Sequence, residues 1–319
     1  MLFALFGAKI MSEQKGEFAL IDWIRSRSSF GRDVIIGIGD DTAAVRTPQS
    51  GVALLTTDTV LEGTHFNFRR CTPYQVGWKA IASAISDVAA MAGIPRYALV
   101  GLALPKDASM KFARQLYDGM RAAADICETG IIGGDVTSWR GKLAITVTVF
   151  GESPAKPITR SGARRGDAIF VTGELGGSLQ RRHVEFVPRI REGLALRDAV
   201  SLHAMMDISD GLSADLRHIC HASRVGAVLY EQAIPISDDA KKMSRRGSKS
   251  ALQRALSDGE DFELLFTASK TAARRLETRP PFATRLSRIG EIVERGFYLQ
   301  KKDGGRVSLQ PNGYEHFKD

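Results

Sequence analysis

The stretch SPAKPITRSGARRGD, Ser153–Asp167, divides the chain more sharply than any other. Two prolines, two glycines and the cations Lys156, Arg160, Arg164 and Arg165 interrupt a regular succession of strands and helices. Proline removes a backbone donor and glycine loosens the chain, so such a run connects elements rather than forming one. Before it, strands are expected at Val34–Ile36, Gly51–Thr59, Tyr97–Leu104 and Lys142–Glu152, the last alternating as a half-buried strand does. Helices are expected at Glu17–Ile24, from Thr72-Pro73 to Met91, and over Ser109–Ala124. Small residues of the second helix (Ala80, Ala82, Ser83, Ala84, Ala89, Ala90) suggest close packing on a sheet. After the break, AIFVTG restarts as a strand, MMDISDGLSADLRHICHAS reads as strand, elbow and helix, and GAVLYE and EDFELLFTAS read as strands. The pattern predicts a two-domain α/β (α+β) fold, with domains at 16–152 and 153–319 and residues 1–15 as an extension.

Residues 1–10, MLFALFGAKI, are too short to span a bilayer and lack the basic start and cleavage site of a secretory signal. Met11 opens MSEQKGEF, which reads like an ordinary start. Three widely spaced cysteines, Cys71, Cys127 and Cys220, give neither a disulfide framework nor a C-x-x-C metal spacing, which fits a reducing cytoplasm. The net charge of +8 sits in short runs such as Arg181–Arg182 and Lys241–Lys249, without interleaved aromatics. A solvated basic face is expected there, with neither a nucleic-acid platform nor a membrane surface.

Familiar phosphate and hydrolase signatures are missing: no G-x-x-x-x-G-K-[ST], no G-x-S-x-G, and no third glycine after Gly37-Ile38-Gly39. What recurs is an acid at a strand end or elbow beside Gly, Ser or Thr. Asp40 and Asp41 lie in GDD, Asp58 in TTDT, Asp87 in ISDVAAM and Asp135 in GGDVTS. Asp207 and Asp210 follow in DISDG, then Glu260 and Asp261 in DGEDFE. One such acid is a turn residue by its own chemistry, and Ser209 or Asp210 would serve equally as a helix cap. Gathered together, they would repel one another and raise their own pKa values unless cations compensated. Mg²⁺ with phosphate oxygens is a fitting partner for such a set, since it takes one or two carboxylates along with phosphate and water. Residue types alone leave turns and a shared metal–phosphate site both open. His65 ends the Asp58 element and is a candidate site member; His218 and His221 are expected at the surface and the cysteines as buried small hydrophobes.

In order and spacing, GIGDDTAAV, TTDTVLEGTHF, GWKAIASAISDVAAMAGIPR, GGDVTS, TRSGARRGDAIFVTGELGGS, MDISDGLSADL, DGEDFELLFT and NGYEHF resemble the thiamine-monophosphate kinase family. That family belongs to the ATP-binding superfamily that also holds aminoimidazole ribonucleotide synthetase and selenophosphate synthetase. The resemblance implies ATP-dependent phosphorylation of thiamine monophosphate to thiamine diphosphate with several Mg²⁺ ions. It also implies a two-domain fold that dimerises through an N-terminal sheet domain, with a C-terminal α/β domain completing the site. By motif position, Asp41, Thr56, Thr57, Asp58, Asp87, Asp135, Asp207 and Asp210 correspond to metal ligands, of which Asp58, Asp87, Asp135 and Asp210 are also expected to be catalytic. Gly134, Asp135, Arg160 and Ser209 match ATP contacts; His65, Glu260 and Tyr314 fall where the family binds thiamine monophosphate.

Departures are Asp258 in SDGED, where the family has glycine, Ala84 in AISDVAAMAG in place of a polar residue, and a short LGGSLQRRHVEFVPRIREG stretch. Asp258 is expected to perturb a left-handed backbone position. A selenophosphate-synthetase-like activity would want a reactive cysteine near the N-terminus, and residues 1–60 hold none. GIGDD and GYEHF disfavour aminoimidazole ribonucleotide synthesis. A non-catalytic nucleotide- or RNA-binding protein is suggested only by the positive charge.

Overall fold

The computed structural model describes residues 31–47, 51–245, 247–310 and 312–314. The extension and the helix expected at Glu17–Ile24 lie outside the described residues. In the first half, β1 (Val34–Ile36), β2 (Ala43–Arg46), β3 (Val52–Leu61), β4 (Ile94–Pro105), β5 (Gly130–Trp139) and β6 (Ala144–Ser153) form one sheet. Its order is β1-β2-β3-β6-β4-β5, antiparallel throughout except for β4 beside β5. That parallel pair needs a crossover, which α2 (Met110–Ile126) supplies.

Helix α1 (Pro73–Ala90) starts as its sequence dictates. The Thr72 hydroxyl accepts the Gln75 N–H, the Gln75 side chain accepts the Thr72 N–H, and proline opens the first turn. Its small residues serve a helix contact as much as a sheet contact. A Cβ on Gly77 would lie 1.9 Å from the Leu116 carbonyl oxygen of α2, and one on Gly119 would lie 1.8 Å from the Tyr74 oxygen. The two helices therefore touch backbone to backbone at these glycines. Residues such as Ile81, Ile85 and Val88 fill the space down to Ile145, Val147 and Val149 on the sheet. The opposite sheet face carries a ladder of threonines, Thr57 with Thr148 and Thr59 with Thr146, flanked by exposed Leu55, Tyr97 and Leu99.

The second half is a sheet of β7 (Ala168–Thr172), β8 (Leu202–Asp207), β9 (Gly226–Tyr230), β10 (Leu264–Ala268), β11 (Leu286–Val293), β12 (Phe297–Gln300) and β13 (Arg306–Ser308). Their order is β13-β12-β9-β11-β7-β10-β8, with β12 parallel to β9 and the remaining pairs antiparallel. Helices α3 (Ile190–Ala199), α4 (Leu212–Ser223), α5 (Asp238–Ser244), α6 (Ala251–Ser257) and α7 (Lys270–Thr278) accompany it. Both faces of this sheet are buried. Ile169 and Val171 of β7 pack toward Leu212, Leu216 and Ile219 of α4, whereas Ala168 and Phe170 pack toward Leu196 of α3 and Leu276 of α7.

Two local expectations are corrected. The strand expected from Glu260 begins only at Leu264, because Glu260 and Phe262 have positive φ values of 53° and 50° and cannot continue a ladder. The cap of α4 is Gly211, at φ 118°, and neither Ser209 nor Asp210 caps the helix. Asp215 reaches back instead, its Oδ2 accepting the N–H groups of Asp210 and Gly211 at 3.2 and 3.0 Å.

Candidate active site

Three carboxylates from three separate elements meet where the two halves touch. Asp41 follows β1, Asp87 lies in the last turn of α1 and Asp207 ends β8; oxygens of all three lie within 4.8 Å of one another. Each is held by a donor. The Arg160 guanidinium grips Asp41 through Nη2 to Oδ1 at 2.7 Å and Nε to Oδ2 at 3.2 Å. Thr56 donates to Asp87 Oδ2 and Ser86 to Asp207 Oδ2, both at 2.5 Å. Asp40 faces differently: its carboxylate accepts the backbone N–H groups of Asp41 and Arg160, fixing the loop that carries both.

The electrostatics are those of a site short of positive charge. Burial, then Asp58, Asp207 and Asp41, push the Asp87 carboxyl well above the usual carboxylate range. Burial and Asp41 push Asp207 up to about 7. Burial and Asp41 raise Asp40 to about 7 as well, against the pull of Arg160. Asp58 is raised by burial, with Ser83 and Lys79 opposing. An all-oxygen set of this kind is chemically suited to Mg²⁺.

A second set lies at the elbow. Asp210, Asp215 and His218 offer ligand atoms within 4.8 Å of one another. Asp215 is fully buried, its Oδ1 has no hydrogen-bond partner, and burial with Asp210 and Asp207 raises its pKa well above normal. His218, expected at the surface, is half-buried here. Burial and then Arg160 lower its pKa to about 4, which keeps the imidazole neutral. The correction has a simple cause: the helix turns Asp215 and His218, three residues apart, toward the elbow that Asp210 occupies.

Glu260 and His65, far apart in sequence, meet at Lys79, and Tyr314 lies beside the His65 ring. The Lys79 ammonium, 1% exposed, donates to Glu260 Oε1 at 2.5 Å and to the His65 carbonyl at 2.7 Å. The His65 and Tyr314 rings lie 6.4 Å apart, centre to centre, and the Tyr314 N–H donates to the Asp210 carbonyl at 3.1 Å.

Thr57, Gly134 and Asp135 lie elsewhere. Strand alternation puts Thr57 on the opposite sheet face from Thr56 and Asp58, hydrogen-bonded to Thr148. Asp58 pairs across the sheet with Val147, then Val100, then Gly134, so Gly134 is three strand spacings away, about 14 Å. Asp135 is exposed on the edge strand, in register with Gly101, Thr146 and Thr59 on the threonine face. Only glycine fits at position 134, because a Cβ would sit 2.0 Å from the Val100 oxygen. Ser209 offers its carbonyl to the Glu260 N–H at 2.6 Å.

Asp258 answers a sequence expectation with a correction. Its φ of −73° is ordinary right-handed backbone, and the left-handed turn falls on Gly259 at 71°. The aspartate ends α6 and pairs with Lys249 and Arg254, each at 3.2 Å.

Sequence reasoning missed Lys79, Ser83, Ser86, Asp215 and His218 as site members. For the first three a signal existed: Lys79, Ser83 and Ser86-Asp87 recur at helical spacing along α1, which is otherwise apolar. All three cysteines are buried and free of disulfides, and no described helix is long and apolar enough to cross a membrane.

Comparison with known proteins matches the two halves separately. AIR synthase related protein, N-terminal domain, covers residues 39–153, and its C-terminal domain covers residues 164–302. Thiamine-monophosphate kinase of Rhodopirellula baltica is 36% identical over 94% of this chain and 97% of its own length. The Bacillus subtilis enzyme of that name is 34% identical over 95% of this chain and 99% of its own. Among solved structures, AaThiL complexed with AMPPCP and TMP superposes with a TM-score of 0.82 at 33% identity, covering 98% of this chain and all of that one. Hydrogenase maturation protein HypE in complex with ATP, at 21% identity and a TM-score of 0.70, shares the fold.

Proposed function

The chain belongs to the thiamine-monophosphate kinase family, and we propose that it transfers the γ-phosphoryl group of ATP to thiamine monophosphate, giving thiamine diphosphate and ADP. The observation that carries this reading is the meeting of Asp41, Asp87 and Asp207, drawn from both halves, beside a separate corner that is already charge-balanced. Carboxylates crowded together without compensating cations suit cationic phosphate complexes. The Lys79–Glu260 corner suits recognition of an organic acceptor.

Asp41, Asp87 and Asp207, with Asp58, would hold one group of Mg²⁺ ions, and Asp210 with Asp215 would hold another. Bound Mg²⁺ would neutralise the oxygens of both phosphate chains. The protein's own contribution is positioning. The acceptor oxygen is a phosphate oxygen, ionised at neutral pH, so no general base is required. Arg160, anchored on Asp41, places a second cation where the nucleotide phosphates would lie, and Ser86 and Thr56 hold their carboxylates in fixed orientations. We assign direct in-line transfer without a phospho-enzyme.

Thr57 and Asp135 share the sheet face that carries exposed Leu55, Tyr97 and Leu99, and we assign that face to a homodimer contact. Burying such an apolar face stabilises association. Purified protein incubated with ATP, Mg²⁺ and thiamine monophosphate should form thiamine diphosphate and ADP in equal amounts. Folded protein that forms neither would overturn the proposal.

A further inference from the structure

Lys79 is a buried charge whose field reaches Asp58 but whose hydrogen bonds all go to the other corner, to Glu260 and the His65 carbonyl. Burying an ammonium is costly unless it is paired and hydrogen-bonded, and an apolar side chain of similar size would often serve stability as well. Here the ammonium is 1% exposed and spans three pieces of chain: α1, which carries it, the turn after β3 through the His65 carbonyl, and the loop before β10 through Glu260.

Glu260 is itself set unusually. Its φ is +53°, a conformation that residues with a Cβ seldom adopt, and its N–H is tied to the Ser209 carbonyl at 2.6 Å. Gly259 ahead of it could not be anything larger, since a Cβ there would lie 2.7 Å from the Ser209 oxygen. With Oε1 taken by Lys79, Glu260 keeps a second oxygen, Oε2, that is buried and has no hydrogen-bond partner. A buried carboxylate oxygen without a donor destabilises the fold, and a backbone held in a rare conformation to place it adds to that cost. Both features make sense together if the missing donor arrives with a ligand.

We propose that Lys79 is a positioning residue for the acceptor: taking the family's acceptor position at Glu260 as given, it fixes Glu260 and the His65 turn as one unit and leaves Glu260 Oε2 as the oxygen that accepts from the ligand. This rests on the thiamine monophosphate reading, whose aminopyrimidine has N–H donors. Lys79 acts through Glu260 and does not touch the reacting phosphates.

Steady-state kinetics of Lys79→Met, with each substrate varied separately, test this. The acceptor KM should rise roughly tenfold or more, the scale of a lost charge-assisted hydrogen bond, while the ATP KM changes by less than about twofold. Glu260→Gln should give the same split. In the Glu260→Gln background, Lys79→Met should add less than about twofold, because the second change removes a support whose target is already gone. Equal rises in both KM values, a fall in kcat with both KM values unchanged, or effects that multiply in the double variant would overturn the inference. If Lys79→Met does not fold, Lys79→Arg replaces it. Arginine keeps the charge on a broader head, so the acceptor KM should fall between those of the wild type and Glu260→Gln with the ATP KM unmoved; equal rises in the two again overturn it. Wild-type protein that makes no thiamine diphosphate sinks the functional reading and this inference together. Active wild type with an unmoved acceptor KM in Lys79→Met sinks this inference alone.

Discussion

The carboxylate corner and the lysine corner are built from opposite electrostatic principles, although α1 contributes to both. At the first, Asp41, Asp87 and Asp207 crowd together with one guanidinium among them, and their mutual repulsion is left standing. At the second, a single ammonium meets a single carboxylate at 2.5 Å, and the charges cancel inside the protein. The difference separates binding tasks. Unbalanced acids wait for cations from outside, whereas a balanced pair holds a shape and leaves one oxygen for recognition. Less than three turns of helix separate Lys79 from Asp87, so both corners are fixed by one rigid element.

The largest expected effect comes from removing one acid at the first corner. Asp87→Asn should lower kcat by about 10³-fold or more, by weakening the metal set that neutralises the phosphates. The same change should raise the melting temperature of the metal-free protein in excess chelator, because repulsion from Asp58, Asp207 and Asp41 is relieved. Glu260→Gln at the second corner should do the reverse to stability and lower the metal-free melting temperature, since it weakens the partner of a buried ammonium. Differential scanning fluorimetry of the two variants side by side checks this. Shifts of the same sign would erase the distinction between the corners.

A smaller, continuous effect is expected from pH. Asp207 and Asp40 are raised from 3.8 in the unfolded chain to about 7 in the folded one. Between those values the folded protein holds protons that the unfolded chain has released. The stabilisation is therefore full below the unfolded pKa and is lost as pH rises through about 7. Metal-free protein should melt at a lower temperature at about pH 8 than at about pH 5.5, and saturating Mg²⁺ should flatten the slope by compensating the ionised acids. A metal-free melting temperature that climbs across this window would mean that the acids are not crowded in solution.

The first corner was far more legible in the sequence than the second, for a physical reason. Acids set beside Gly, Ser and Thr next to or within apolar strands, such as Asp41, Asp58 and Asp207, advertise themselves because an apolar strand gives them no other work. Lys79 hides in a helix whose neighbours are apolar, and a lysine on a helix ordinarily reads as a solvated face. The polar stripe of Lys79, Ser83 and Ser86 was visible in principle from helical spacing alone. Parity along β3 was equally visible: Thr56 and Asp58 share one face and Thr57 must take the other. Motif position placed all three among the ligands of several ions, and that alternation sets Thr57 apart from the other two. The Glu260 conformation had no comparable signal. Its positive φ is imposed by contacts with Ser209, some fifty residues earlier in the chain, as is the displacement of the start of β10 to Leu264. Part of each sheet was legible from its apolar runs, but β2, β5 and the three strands from Leu286 onward, short or interrupted by glycine and charge, were not read as strands.

The smallest effect should come from Asp258→Gly, which restores the residue the family carries at a position bordering the lysine corner. Asp258 is right-handed, so glycine gains nothing in backbone geometry there and costs some conformational entropy. The change also removes the partner of Lys249, a half-exposed cation whose pairing contributes little, and of Arg254, which is more deeply buried. A loss of about 1–2 kcal/mol, measured by urea unfolding, is the expected sum. The acceptor KM should stay within about twofold of wild type, because the left-handed turn that sets Glu260 belongs to Gly259 and to the Ser209 contact, neither of which changes. A markedly raised acceptor KM in Asp258→Gly would show instead that the end of α6 tunes Glu260. The lysine corner would then extend beyond Lys79, and its rigidity would have to be sought in α6 as well as in α1.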